Sequence, residues 1–286
     1  MSIRRLVSVV RSAVSGYGRH ADAQFAAALA YRALFSIVPF VALLASVLDL
    51  VLPASAREDV VDWLLGAVPG VELQASVDRE LESSGALTSV AGLVSFGLLM
   101  WSASGMTGSL RVALAIIWEG DSKAAFVRAK LRDIVALGVL ATLVIAGFAL
   151  SLLTQVAIQA GVHATDAIGL ERAGKLVSVG VELAGSGVIT FAALLIVYGL
   201  APPVRLPFAA LWQSALVTTL AIDVGVAGYA FYLVRIASFS TIYGPLGAVL
   251  AFLALLYFVA ILVLFGGELV MATSRAGERD RVEERV

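Results

Sequence analysis

Hydrophobic positions along the chain gather into six long apolar stretches separated by short charged loops. The clearest runs over residues 236–267, 32 positions without a charged side chain. A helix crosses a bilayer with about 20 apolar residues at ~1.5 Å each. The pattern therefore predicts transmembrane helices at residues 23–50, 87–118, 134–162, 176–201, 207–234 and 243–270. Ahead of the first stretch, Ile3, Leu6, Val7, Val10, Ala13, Val14 and Tyr17 recur at helical spacing, with Arg4, Arg5 and Arg11 between them. That arrangement predicts an amphipathic helix lying at the membrane surface. The chain reads as an all-α polytopic membrane protein in three parts. Residues 1–22 form an amphipathic N-terminal segment, residues 23–272 a six-span bundle, and residues 273–286 a charged tail.

Composition agrees with that reading. Hydrophobic residues make up 60% of the 286 positions and charged residues 14%, with a mean hydropathy of +0.96. Soluble domains carry about 25% charged residues. The formal net charge of −1 leaves no electrostatic footprint for nucleic acid. There is no cysteine, which excludes disulfides, zinc–thiolate sites and iron–sulfur clusters. Charge also orients the spans. With the N-terminus inside, the inner segments hold thirteen Lys and Arg and the outer loops five; Arg32 and Arg111 lie within spans. The excess of basic residues on one side places both termini in the cytoplasm.

The loops add detail. Residues 51–86 are rich in acidic side chains and suit either an acidic lid or a solvated connector. Ala54-Ser55-Ala56 mimics a signal-peptidase site, but the preceding apolar run is long and contains Arg32, so it reads as a retained span. Pro202 and Pro203 end the fourth span and Pro207 suits the first turn of the fifth, which makes the two a tight hairpin.

Three stretches resemble the YihY/BrkB family of bacterial inner-membrane proteins. The first is Leu29-Ala30-Tyr31-Arg32-Ala33-Leu34-Phe35-Ser36-Ile37-Val38-Pro39. The second runs from Leu99-Met100-Trp101-Ser102-Ala103-Ser104-Gly105 to Ile117-Trp118. The third is Ile242-Tyr243-Gly244-Pro245-Leu246-Gly247-Ala248, followed by Tyr257 and Leu264-Phe265-Gly266-Gly267-Glu268. Val204-Arg205-Leu206-Pro207 is similar to a further family loop. The resemblance departs at Ala113-Leu114-Ala115, where many relatives have an asparagine, and at Gly267, where they have alanine. It implies six spans in the bacterial plasma membrane, and motif roles for Tyr31, Ser36, Pro39, Arg205, Pro207, Tyr243, Gly244 and Gly247. Part of the family was once labelled ribonuclease BN, and part was linked to virulence.

Ionisable residues inside spans are costly and usually face a partner or a wet cavity. Arg32 and Arg111 are expected about 13 Å and about 10 Å from the cytoplasmic ends of their spans, with Glu268 near the same face. Glu182 and Asp223 are expected about 9 Å and about 16 Å below the outer face. One reading is a polar path, in which Arg32 and Arg111 receive an anionic headgroup, Glu268 orients them, and Glu182 and Asp223 line the outer half. The other is structural: an Arg32–Glu268 lock, arginines that snorkel to the interface, and an Asp223 hydrogen bond. The first makes the protein a transporter or flippase-like protein for an anionic amphiphile, with membrane lipids as partners. The second makes it a non-transporting scaffold or envelope assembly factor. Neither calls for a cofactor or a metal. An enzyme is not expected: there is no G-x-S-x-G, P-loop, dinucleotide fingerprint or H-E-x-x-H. The only histidines, His20 and His163, fall on opposite membrane faces, which argues against a nuclease.

Overall fold

The computed structural model describes residues 3–51, 97, 108–118, 171–200, 206–235 and 246–283. Among them the chain is all helical. Helix α1 is Ile3–Arg19 and α2 is Asp22–Val51. Helix α3 is seen from Gly108 to Ile117. Helices α4, α5 and α6 are Glu171–Leu200, Phe208–Arg235 and Leu246–Glu283. The predicted spans at 134–162 and, for the most part, 87–118 lie outside the described residues, as do the loop over 52–86, Arg205, Tyr243 and Gly244.

Helix ends follow local chemistry. Pro207 sits immediately before α5, and its carbonyl accepts the Ala210 amide at 2.9 Å, so the residue without an N–H occupies a place where none is needed. Between α1 and α2 stands Ala21, whose φ of 58° lies in the left-handed region. A Cβ is disfavoured there by about 1 kcal/mol, and glycine carries no such penalty. Ala21→Gly is expected to raise thermal stability by about 1 kcal/mol; an unchanged or lower melting temperature would contradict this turn. Helix α2 runs without interruption through Pro39. Helix α6 continues thirteen residues past the predicted end of the sixth span at 270, through a charged stretch. Leaving the apolar layer ends the span but not the helix. Ala272, Ala276, Arg279 and Glu283 are good helix formers, and the last two stand one turn apart.

Two described helices are long and apolar enough to cross a membrane, Phe208–Leu233 within α5 and Val249–Glu278 within α6, the latter with a mean hydropathy of 2.9. The pattern of burial on α5 shows what surrounds it. Its buried positions are small or hydroxylic: Ala210, Ser214, Ala215, Thr218 and Thr219, with Ile222. Its exposed positions include Phe208, Trp212, Leu216, Val217, Leu220 and Val224. A helix in water turns its large apolar side chains inward. Here they face outward while small residues meet the neighbouring helices, which is the order expected in lipid. Only 17% of the apolar window of α5 and 22% of that of α6 is buried, so neither is the core helix of a soluble domain.

The helices contribute to two compact units. One comprises Met1–His20, Arg111–Gly225 and Leu262–Val286, and the other Ala21–Leu110 and Val226–Ile261. In the second, the Tyr229 hydroxyl donates to the Ala251 carbonyl at 2.6 Å and ties the end of α5 to the start of α6. The rings of Tyr31 and Phe35, one turn apart on α2, have centroids 4.7 Å apart and are tilted at 48°, and Ser36 donates back to the Ala33 carbonyl at 2.8 Å.

Candidate functional site

The first unit is organised around four consecutive residues of α6, Phe265-Gly266-Gly267-Glu268. Successive residues of a helix point about 100° apart, so four in a row face in all directions. Each meets a different neighbour. Phe265 meets the edge of the Tyr17 ring of α1, centroids 6.3 Å apart. Gly266 faces Tyr198 of α4 and Thr218 of α5: a Cβ there would land on the Tyr198 hydroxyl and on Thr218 Oγ1. Gly267 faces α3, where a Cβ would stand 2.7 Å from Leu114 Cδ2. Glu268 turns back to the end of α1. At this level α6 is surrounded by protein, and Leu264, Gly266, Gly267, Glu268, Leu269 and Val270 are all buried.

Two aromatic side chains fasten the crossing through polar tips. Trp118 Nε1–H donates to the Gly267 carbonyl at 3.0 Å, and the Tyr198 hydroxyl donates to the Val263 carbonyl at 2.6 Å. The rings meet edge to face at 6.4 Å and 81°, a favoured arrangement for aromatic pairs. Trp118 and Tyr198 are the largest fully buried side chains among the described residues. Each satisfies its one donor on the backbone of α6, so the fit of α3 and α4 to that helix is directional as well as apolar.

At the end of the crossing, Nδ1 of His20 stands 2.5 Å from Oε1 of Glu268. With the carboxyl ionised, the ring N–H is the donor. The two side chains are 18% and 5% exposed. Gly16, buried one turn before His20, makes room for the carboxylate, since a Cβ at 16 would overlap it. Arg19 and Arg275 add positive charge around the same group. Glu268 is thus held in a cationic pocket built by the end of α1 and its own helix.

The remaining candidate residues take separate places. Arg111 begins the first unit's share of α3 and is half-buried. Arg32 is exposed on α2, in the second unit. Asp223 is half-buried on α5, and its Oδ2 faces Gly187 of α4, where a Cβ would stand 3.3 Å away. Glu182 lies on α4, with its side chain outside the described set. Gly247 is buried near the start of α6, whereas Tyr31 is exposed and Ser36 half-buried on α2. Within the first unit, Glu268 and Asp223 therefore have different neighbours, His20 and Gly187. Sequence reasoning passed over His20, Gly16, Tyr198 and Thr218. It compared His20 only with His163, whereas the structure pairs His20 with a carboxylate 248 residues away. That corrects the argument from the histidines: a His-based pair does exist. The signal that was present is Glu268 itself, a charge at the end of an apolar run that requires a donor.

Residues 13–285 match the family described as Virulence factor BrkB. The chain belongs to that family. A BrkB-family match over this length takes in the Phe265–Glu268 crossing, Trp118 and His20 together. Two curated relatives are similar across nearly the same stretch. One is a UPF0761 membrane protein, RC1_0578, of Rhodospirillum centenum, 26% identical over 286 residues. That alignment covers 96% of this chain and 60% of the relative, so the chain spans about three fifths of that longer protein. The other is the ribonuclease-like protein YfkH of Bacillus subtilis, 24% identical over 268 residues, covering 92% of this chain and 94% of the relative. No solved structure matches the chain. The protein is a BrkB-family membrane protein, in keeping with the outward-facing apolar surface of α5.

Proposed function

We propose that this BrkB-family protein moves an anionic amphiphile of the cell envelope across the bacterial plasma membrane. In this reading the chain has six spans and both termini are cytoplasmic. The observation that carries it is the inverted polarity of the first unit. Ser214, Thr218 and Thr219 of α5 and Glu268 and Ser274 of α6 are buried, while the large apolar residues of α5 face outward. Polar groups turned inward along apolar helices are what a headgroup needs to leave the interface, because lipid tails solvate no charge. Arg111 in the first unit and Arg32 in the second each carry a guanidinium group, and such groups bind phosphate and carboxylate through paired donors. Asp223, beside Gly187, lies on the outer half of the path. The chemistry asked of the chain is binding and passage, not bond cleavage. The His20–Glu268 pair, mostly covered, suits a fastening better than a base that must reach a substrate.

Lipids that co-purify with the protein test the reading. Mass spectrometry of wild-type protein is expected to show one anionic lipid enriched severalfold over the bulk membrane. Arg32→Ala/Arg111→Ala should lose that enrichment while keeping its elution profile. Bulk lipid proportions in both proteins would instead favour a scaffold.

A further inference from the structure

Helix α1 presents two distinct apolar stripes, and the structure accounts for one of them. Val9, Ala13 and Gly16 are buried, and Val9 and Ala13 form a cluster with Leu269 and Ala272 of α6, against which Phe265 and Ala276 also pack. The second stripe is Val7, Val10 and Val14, which are 60%, 42% and 58% exposed. Their spacing of three and four residues makes them one continuous ridge on the helix. At 100° per residue, that ridge lies about a quarter to a third of a turn away from the packed stripe. Arg11 borders its far side and is itself exposed. Beyond Arg11 the helix surface carries Ser8, Ser12 and Ser15, all exposed.

Two independent observations say what covers the ridge. The first is charge. Helix α1 contains Arg4, Arg5, Arg11 and Arg19 and no acidic residue. The second is depth. The α6 residues against which α1 packs, 265–276, lie where that helix passes from an uncharged apolar run to Glu268, Arg275 and Glu278. That change marks the boundary between hydrocarbon and headgroups, and α1 lies at it. An apolar ridge flanked by arginine, held at that depth, is complementary to an anionic lipid surface.

We propose that α1 is a two-sided strap. Its Val9–Ala13–Gly16 stripe is fastened to α6, and its Val7–Val10–Val14 ridge is seated among the acyl chains just below the headgroups of anionic lipids, with Arg11 at the phosphates. The far end of the strap is His20, which holds Glu268. The proposal does not depend on transport. It requires only that the protein is in a membrane.

The chain has no native cysteine, so single cysteines report single sites. Nitroxide labels at Val10→Cys, Val14→Cys and Ser12→Cys would be compared in full-length protein, reconstituted in vesicles of phosphatidylcholine with one quarter phosphatidylglycerol. Val224→Cys, on the exposed face of α5, serves as the lipid reference. Relaxation by oxygen, which concentrates in lipid, is compared with relaxation by a water-soluble nickel chelate. Labels at 10 and 14 are expected to favour oxygen, as at 224, and the label at 12 to favour nickel. In the Val10→Cys background, Arg11→Gln should shift the label toward nickel accessibility. Three results overturn the proposal while the label at 224 still reports lipid. Labels at 10 and 14 that favour nickel place the ridge in water. Labels reached by neither reagent place it under protein, either a second copy or another partner. Equal oxygen preference at 10, 12 and 14 removes the two-sided character.

Discussion

Gly266→Ala is expected to destabilise the protein by about 3 kcal/mol, at the upper end for overpacking by one methyl group. The added Cβ would meet the Tyr198 hydroxyl from α4 together with Oγ1 and Cγ2 of Thr218 from α5. Neither neighbour can easily retreat. Tyr198 is fully buried and donates to the Val263 carbonyl, and Thr218 is buried on a helix. For a chain of this size the melting temperature should fall by roughly 6–12 °C. The second half of the prediction is a rescue. Tyr198→Phe loses one hydrogen bond, at about 1 kcal/mol by itself. It also removes an atom on which the new methyl lands, so the double variant should be more stable than the sum of the two losses. Thermal unfolding in detergent micelles measures all three variants. Strict additivity, or a wild-type melting temperature for Gly266→Ala, would show that the three helices do not meet there.

Breaking the His20–Glu268 pair is the second large effect. Glu268→Ala leaves the His20 ring without its acceptor in a mostly covered site, and is expected to cost about 2–3 kcal/mol, the usual range for a hydrogen bond to a charged group. Glu268→Gln keeps an oxygen acceptor at the same reach and should lose less than half of that. His20→Leu should lose about as much as Glu268→Ala. The double variant should lose little more than either single one, because the second substitution removes a group already stranded by the first. Losses that simply add would mean that the two side chains act separately.

Several parts of this arrangement were legible in the sequence, and the reason differs from one to the next. Helices α2, α4 and α5 begin and end within about five residues of the stretches predicted at 23–50, 176–201 and 207–234. Charged or proline residues bracket those runs in the sequence. The end of α6 was placed at 270 because hydropathy reports the edge of the lipid layer, whereas helix continuation depends on propensity, which stays high to Glu283. The motif Leu264–Glu268 is legible as a family resemblance, and the structure gives it a physical reason: two glycines and a carboxylate in succession let four helices approach α6. His20 could not be paired from the sequence: its contact joins the end of α1 to a helix 248 residues later. Periodicity reports which face of a helix is apolar, but not which helix it meets. Arg32 and Arg111 illustrate the same limit. Their cost is readable from the chain, whereas the exposure of Arg32 and the half-burial of Arg111 depend on packing.

We propose that an anionic amphiphile passes along the inward-turned polar faces of α5 and α6. The most direct test is transbilayer movement of a fluorescent phosphatidylglycerol in vesicles containing the purified protein, measured with and without an imposed proton gradient and membrane potential. The account predicts protein-dependent movement under at least one of these conditions, reduced at least tenfold by Arg111→Ala at unchanged melting temperature. Movement no faster than in protein-free vesicles under every condition, from protein that is folded and correctly inserted, would contradict it.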